Sequence, residues 1–245
     1  MRKIFFVLLF VVMAISCSKE SNNDAFTKSS DSVGGSLATF SLVGDYLYVV
    51  DSGRLNVFSV QNPTNPSKVN TVYVGFDIET LFSLNQFLFI GSRSGMYIYS
   101  IEKPESPEKL SEYRHFNACD PVVANASHAF VTLHSNSFCG NNLNVLQVYD
   151  IGNLKNPVKI HERNLTQPKG LALKGDYLVV CDDDLKFFDI KNPTNPTLVH
   201  SENKSFKDVI FYENKLFAFG EREITQYAWT KEDFSDLYVI STTRY

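Results

Sequence analysis

Asp182, Asp183 and Asp184 form the densest group of oxygen donors in the chain, and Ca²⁺ gathers about six to eight such oxygens. Three adjacent acids on a tight turn cannot all face one ion, and no glycine-spaced loop supports them. No cofactor is therefore expected, with Ca²⁺ the one candidate. The 5 histidines, His115, His128, His134, His161 and His200, show no zinc-type spacing, so no metal site is expected. His128 and His134 fall on one side of a single strand. Acid–base hydrolysis of a glycoside needs two carboxylates flanking the bond, and Asp51, Asp77, Glu79, Asp182 and Glu221 are eligible. An acidic protein offers that many by chance. No G-x-S-x-G elbow occurs, and Cys119, Cys139 and Cys181 lack a partner motif. Catalytic residues are thus not assigned, and binding is the favoured role.

What positions these residues is a repeat. Residues 177–181 and 185–190 are short runs rich in Val, Phe and Tyr separated by the three aspartates, which reads as two strands and a tight turn. The second run ends at Asn192-Pro193-Thr194-Asn195-Pro196, where proline removes ladder donors and asparagine folds back on its own backbone. Leu55, Met96, Leu146, Leu185 and Ile224 open equivalent strands at offsets of 41, 50, 39 and 39 residues. Three residues after each stands an aromatic: Phe58, Tyr99, Tyr149, Phe188 and Tyr227. Pro66, Pro107, Pro157 and Pro196 keep the count, whereas the last unit has Thr230-Lys231-Glu232-Asp233 instead. A period near 40 residues with several short strands per unit indicates propeller blades, and no helical apolar period is present. The expectation is an all-β, five-bladed β-propeller of four-stranded antiparallel blades over residues 36–245. The blades are placed at about 37–74, 78–116, 121–164, 169–204 and 206–241, closed by side-chain packing rather than by an exchanged strand.

Ahead of the repeats, Arg2 and Lys3 precede an apolar run of about a dozen residues, too short to span a bilayer of about 30 Å as a helix. Residues 1–16 read as a secretion signal. Cys17 after Ala14-Ile15-Ser16 resembles the lipobox of bacterial lipoproteins, although alanine at its first position departs from the usual leucine. The resemblance implies that Cys17 is the lipid-attachment residue and that the chain meets a membrane through acyl chains alone. Ser18 after the cysteine looks like an outer-membrane address, and Lys19-Glu20 is compatible with surface display. Residues 17–35 form a polar tether with an r.m.s. span of about 24 Å.

The repeat units resemble the LVIVD repeats of bacterial β-propeller proteins. The likeness rests on Tyr177-Leu178-Val179-Val180-Cys181-Asp182 and the following Phe188-Asp189-Ile190 with its proline turn, with Tyr149-Asp150-Ile151 a second clean copy. Ser59 and Ser100 replace the motif aspartate in blades one and two. The resemblance implies an exported, often lipid-anchored propeller and transfers no catalytic residue.

In a propeller, the turns between the second and third strands and the crossings between blades share one face around the central channel, the default binding face. From this chain it collects Asp51, Arg54, Asp77, Arg93, His115, His134, Asn136, Asn141, Asp182, Asp184 and Arg222. Mixed carboxylates, arginines and amides suit a polar ligand such as a glycan, a peptide or a surface protein. The alternatives are a glycosidase-like hydrolase with paired carboxylates at the channel mouth, and a scaffold docking another outer-membrane protein. Residues 135–142 are the strongest departure from repeat regularity, and recognition is expected there and around the channel mouth. Cys119 and Cys139 fall on that face of blade three and are expected to form a disulfide in an oxidising compartment. Cys181 should be a buried free thiol. The net charge of −4, or −6 without Arg2 and Lys3, together with the lack of any basic run, argues against nucleic acid. A monomer is expected.

Overall fold

The structure, a computed structural model, describes residues 35–114, 121–134 and 143–245. Five four-stranded antiparallel sheets follow one another along the chain. Blade one is β1 (Phe40–Val43), β2 (Tyr46–Asp51), β3 (Arg54–Ser59) and β4 (Ser67–Tyr73). Blade two is β5 (Ile78–Leu84), β6 (Phe87–Ser92), β7 (Gly95–Ser100) and β8 (Glu108–Arg114). Blade three is β9 (Val122–Ala124), β10 (His128–Leu133), β11 (Val145–Asp150) and β12 (Val158–Asn164). Blade four is β13 (Leu171–Lys174), β14 (Tyr177–Cys181), β15 (Leu185–Asp189) and β16 (Thr197–Glu202). Blade five is β17 (Asp208–Tyr212), β18 (Lys215–Phe219), β19 (Glu223–Ala228) and β20 (Tyr238–Arg244). Every sheet is built from consecutive strands, so none is exchanged between the ends of the ring.

The repeat aromatics mark a shared backbone feature. In all five blades the third strand slips register against the fourth immediately before Phe58, Tyr99, Tyr149, Phe188 or Tyr227. Such a bulge sharpens the twist. The second and third strands of blades two to four are apolar on both faces because each of these blades is covered on both sides, whereas the outer strands are polar and exposed. Four apolar clusters join blades one to two, two to three, three to four and four to five. The turns after the third strands of blades two, three and four also clasp the preceding blade. The Tyr48 hydroxyl donates to the Pro104 carbonyl at 2.9 Å, and the Ser111 hydroxyl to that of Leu154 at 2.6 Å. His161 Nδ1 bonds the Thr194 carbonyl at 2.9 Å.

The junction between blades five and one differs from the expected packed closure. Among the described residues no apolar cluster joins these two blades. Phe40 and Leu42 on β1 stay 59% and 57% exposed, and Leu47, Val49 and Phe58 on the same face are half-buried. The facing residues of blade five, Ile210, Phe217, Phe219 and Ile224, are half-buried too. Pro66 is exposed, whereas Pro107 and Pro196 are buried against the blade before them.

The seam is bridged at the channel by the segment that leads into β1. Ser36 donates through Oγ to Asp208 Oδ1 at 3.0 Å and accepts from the Leu171 N–H at 2.8 Å. Leu37 N–H reaches Asp208 Oδ2 at 3.3 Å. On the other side, the Ala38 carbonyl accepts from Leu81 N–H, and Ser41 and Ser83 hydroxyls meet at 2.7 Å. One short polar segment thus ties blades four and five to blade two. A packed junction needs only matching apolar faces, but this tie needs glycine. A Cβ on Gly170 would stand 2.1 Å from Asp208 Oδ1 and 2.7 Å from its Cα.

Candidate functional site

On the crossing face, blades one and two bring together three of the expected residues. Asp51 and Arg54 pair across the β2–β3 turn, and Asp77 lies in the crossing into β5. With Ser52, Tyr73 and Phe76 they line an open cavity of about 410 Å³. Two glycines make the close approach possible: a Cβ on Gly53 would meet the Gly75 carbonyl at 2.4 Å, and one on Gly75 the Tyr97 hydroxyl at 2.5 Å. Ser52 and Asp77 both adopt left-handed backbone, with φ of 51° each. Non-glycine residues rarely do so, and such strain concentrates at functional sites. The conformations are held by hydrogen bonds from Ile78 N–H to the Ser52 carbonyl at 2.8 Å and from Arg93 N–H to the Asp77 carbonyl at 3.1 Å.

The charges in this cavity are only partly committed. Asp51 accepts from the Ser52 hydroxyl at 3.1 Å. Among the described residues, neither Arg54 nor Asp77 has an ion pair. Arg93 is used differently, its Nε holding Glu79 at 2.9 Å beside the same crossing. Tyr73 and Phe76 are 61% and 75% exposed, with their rings edge-to-face at 5.8 Å. The cavity thus offers a guanidinium, two carboxylates and two uncovered aromatic rings. The charges are legible in the sequence but Tyr73 and Phe76 are not, since solvent-exposed aromatics do not differ in sequence from core ones.

The acid run of blade four is a structural device. Asp182 is fully buried and accepts N–H donors from Thr166 and Gln167 and the Lys186 ammonium, the last at 2.6 Å. It is placed differently from the expected ligand-facing carboxylate, because it caps the crossing backbone from within. Asp183 turns to the same lysine, which pulls its carboxyl down to about 2. Asp184 accepts from the Ser201 hydroxyl at 3.0 Å. The three acids diverge, and among the described residues no three His, Cys, Asp or Glu side chains are grouped to hold a metal ion.

Elsewhere on this face, Arg222 is exposed beside Glu221, which pairs with Lys207 at 3.1 Å. His134 is half-buried at the end of β10. Cys17, His115, Cys119, Asn136, Cys139 and Asn141 lie outside the described residues, as does the 135–142 loop. Cys181 is a buried free thiol, as expected, and burial raises its pKa. Ser36 and Asp208 stand at the channel mouth on this face. Below them a cavity of about 380 Å³ follows the inner strands of blades two to five.

The LVIVD repeat matches residues 34–74 and 167–203, which are blades one and four. A search of curated proteins finds no match. Among solved structures, a protein of unknown function from Desulfotomaculum acetoxidans superposes with a TM-score of 0.71 at 12% identity, over 84% of this chain and 69% of that one. The periplasmic gluconolactonase of Pseudomonas aeruginosa gives 0.64 at 13% identity, over 82% and 68%. BamB from Moraxella catarrhalis gives 0.55 at 9% identity, over 84% and 63%. The chain therefore spans about two thirds of the length of these relatives in fold. At such identities the likeness concerns the fold alone. Five blades of repeating architecture and two LVIVD matches make the chain a β-propeller repeat protein.

Proposed function

We propose that the protein is a lipid-anchored, non-catalytic binding propeller that takes a polar ligand, a glycan or peptide, in the blade-one cavity of its crossing face. The observation that carries this reading is the convergence there of Arg54, Asp51 and Asp77 with the uncovered rings of Tyr73 and Phe76. A guanidinium without a carboxylate partner can bind planar anionic or amide groups through its fork of donors. Exposed rings add apolar contact that a wet turn does not need. Membrane attachment through Cys17, outer-membrane residence and the Cys119–Cys139 bridge belong to the same proposal and rest on the sequence. Intact-mass analysis finding free thiols at both positions would remove the bridge.

The test is thermal unfolding of the chain from Ser18 onward against a panel of glycans and short peptides. A ligand that binds the native state raises the transition by mass action, about 2.7 kcal/mol at 100 times Kd. The expected result is a saturable rise that disappears in Arg54→Ala and Phe76→Ala. A rise retained in both variants places binding elsewhere, and a flat panel favours the scaffold reading. A second, hydrolytic reading has one observation in its favour, since Asp51 and Asp77 line the same cavity. Glycoside turnover that disappears in both Asp51→Asn and Asp77→Asn would establish it.

A further inference from the structure

The face opposite the crossings holds a third cavity, built by the departure of blade five from the repeat. In blades one, three and four the turn after the third strand is closed by an asparagine N–H bonded to the carbonyl three residues earlier: Asn65 to Asn62, Asn156 to Asn153 and Asn195 to Asn192. In blade five the equivalent bond runs from Phe234 to Lys231, so a phenylalanine occupies the asparagine position. Phe234 is buried with φ of 59°, a conformation unfavourable for a bulky side chain. The Asp236 carboxylate holds the loop in place by accepting from the N–H groups of Thr230 at 3.1 Å and Lys231 at 3.0 Å.

This loop sets Phe234 edge-on to Tyr177 of blade four, with ring centres 5.2 Å apart, and 5.0 Å from Trp229, the single tryptophan of the chain. Tyr177 and Trp229, backed by the buried Phe234, line a cavity of about 280 Å³ that also touches Lys174, Asp176, Lys191 and Glu232. Lys174 Nζ lies 5.5 Å from the Trp229 ring centre and Lys191 Nζ 5.9 Å from that of Tyr177. Lys174 is anchored by the Glu213 carbonyl at 2.7 Å and has no carboxylate partner among the described residues. Asp176 and Glu232 are exposed and make no ion pair among the described residues.

We propose that this cavity is a second binding site, for a ring of a neutral oligosaccharide. An aromatic floor suits the apolar C–H face of a pyranose. The rim presents the ammonium groups of Lys174, held by the Glu213 carbonyl, and Lys191, 3.8 Å from Asp189, each with donor capacity to spare, together with the carboxylates of Asp176 and Glu232, and a sugar hydroxyl both donates and accepts. The two signs balance at the rim, so a charged ligand gains no net attraction over a neutral one. The volume lies near the lower end of small-ligand cavities, about 300–1,000 Å³, which admits one or two rings rather than a long chain. This site is independent of the crossing-face cavity.

The single tryptophan makes the test specific, because Trp229 emission reports this cavity and Arg54 lies on the other face. The protein from Ser18 onward is titrated with maltotriose, cellotriose, mannotriose and diacetylchitobiose, with glucuronate and glucosamine as charged comparators. The expected result is a saturable emission change with at least one neutral sugar, at a Kd of about 0.1–10 mM. Asp176→Ala with Glu232→Ala, both exposed and remote from the core, should weaken it about tenfold or more. No emission change with any neutral sugar overturns the proposal. So does unchanged affinity in the double variant, or tighter binding of a charged comparator.

Discussion

Replacing Asp208 by asparagine should stabilise the protein at neutral pH, although it alters a group that holds the ring together. Two effects compete there. Burial raises the Asp208 carboxyl from its ordinary 3.8 to about 6, against the N–H groups of Val209 and Leu37 and the Ser36 hydroxyl, which favour the anion. A folded-state value above the unfolded one means that stability is highest when the group is protonated, below about 3.8. It is lost as pH rises toward about 6 and stays lost above. Two units at about 1.36 kcal/mol each put the cost of the buried anion at pH 7 near 3 kcal/mol. Asparagine removes that cost and keeps one acceptor oxygen for Ser36 at 3.0 Å and Val209 N–H at 2.9 Å. It forfeits the longer bond from Leu37 N–H at 3.3 Å, worth about 1 kcal/mol. The net gain is about 2 kcal/mol, or about 4–8 °C for a domain of this size. Thermal melts of parent and Asp208→Asn between pH 4 and pH 7.5 read it as a difference, so other titrating carboxylates cancel. The difference should be large at pH 7, shrink as pH falls through about 6, and reverse slightly toward pH 4, where only the forfeited Leu37 bond remains. A variant that melts below the parent at pH 7, or a pH-independent difference, would refute the reasoning and show that the anion's hydrogen bonds outweigh its burial.

Four further outcomes follow from the packing and from one buried carboxylate. Gly170→Ala forces a methyl group onto the Asp208 backbone and should destabilise by about 1–3 kcal/mol, seen as a lower melting temperature. Phe89→Ala empties a site that is 0% exposed between blades two and three and should cost about 3–5 kcal/mol in denaturant titration. Phe40→Ala, on the open seam, should cost less than about 1 kcal/mol, and equal losses for the two phenylalanines would mean that the seam is packed in solution. Asp182→Ala leaves two buried crossing N–H groups without their acceptor and Lys186 with Asp183 as its one remaining carboxylate, and should destabilise by about 2–4 kcal/mol in the same titration.

Much of the architecture was legible because repetition amplifies weak signals. A single strand such as Leu185–Asp189 is ambiguous, but five copies of an aromatic at the same offset locate the third strand and the bulge in every blade. The blade boundaries and the buried thiol of Cys181 followed from that register. The role of Asp182 did not, because a carboxylate aimed inward at crossing N–H groups and one aimed at solvent occupy the same position in the motif. The loss of the proline turn in the last unit was visible as an irregularity at residues 230–233, while the place of Phe234 in the turn and its contact with Tyr177, some 57 residues away in sequence, were not.

By itself the sequence determined the number of blades, their strands, the turns and the face on which polar crossings gather, since these depend on residue order within about 40 positions. Only the tertiary structure decided how the ring ends. The alternation of apolar residues in blades one and five matches that of the inner blades, so nothing local distinguishes a face that will be covered from one that will stay open. Whether Phe40 and Ile210 meet depends on the angle accumulated over all the blades between them. That sum is set by packing at four separate junctions, and it left the closure to Ser36 and Asp208.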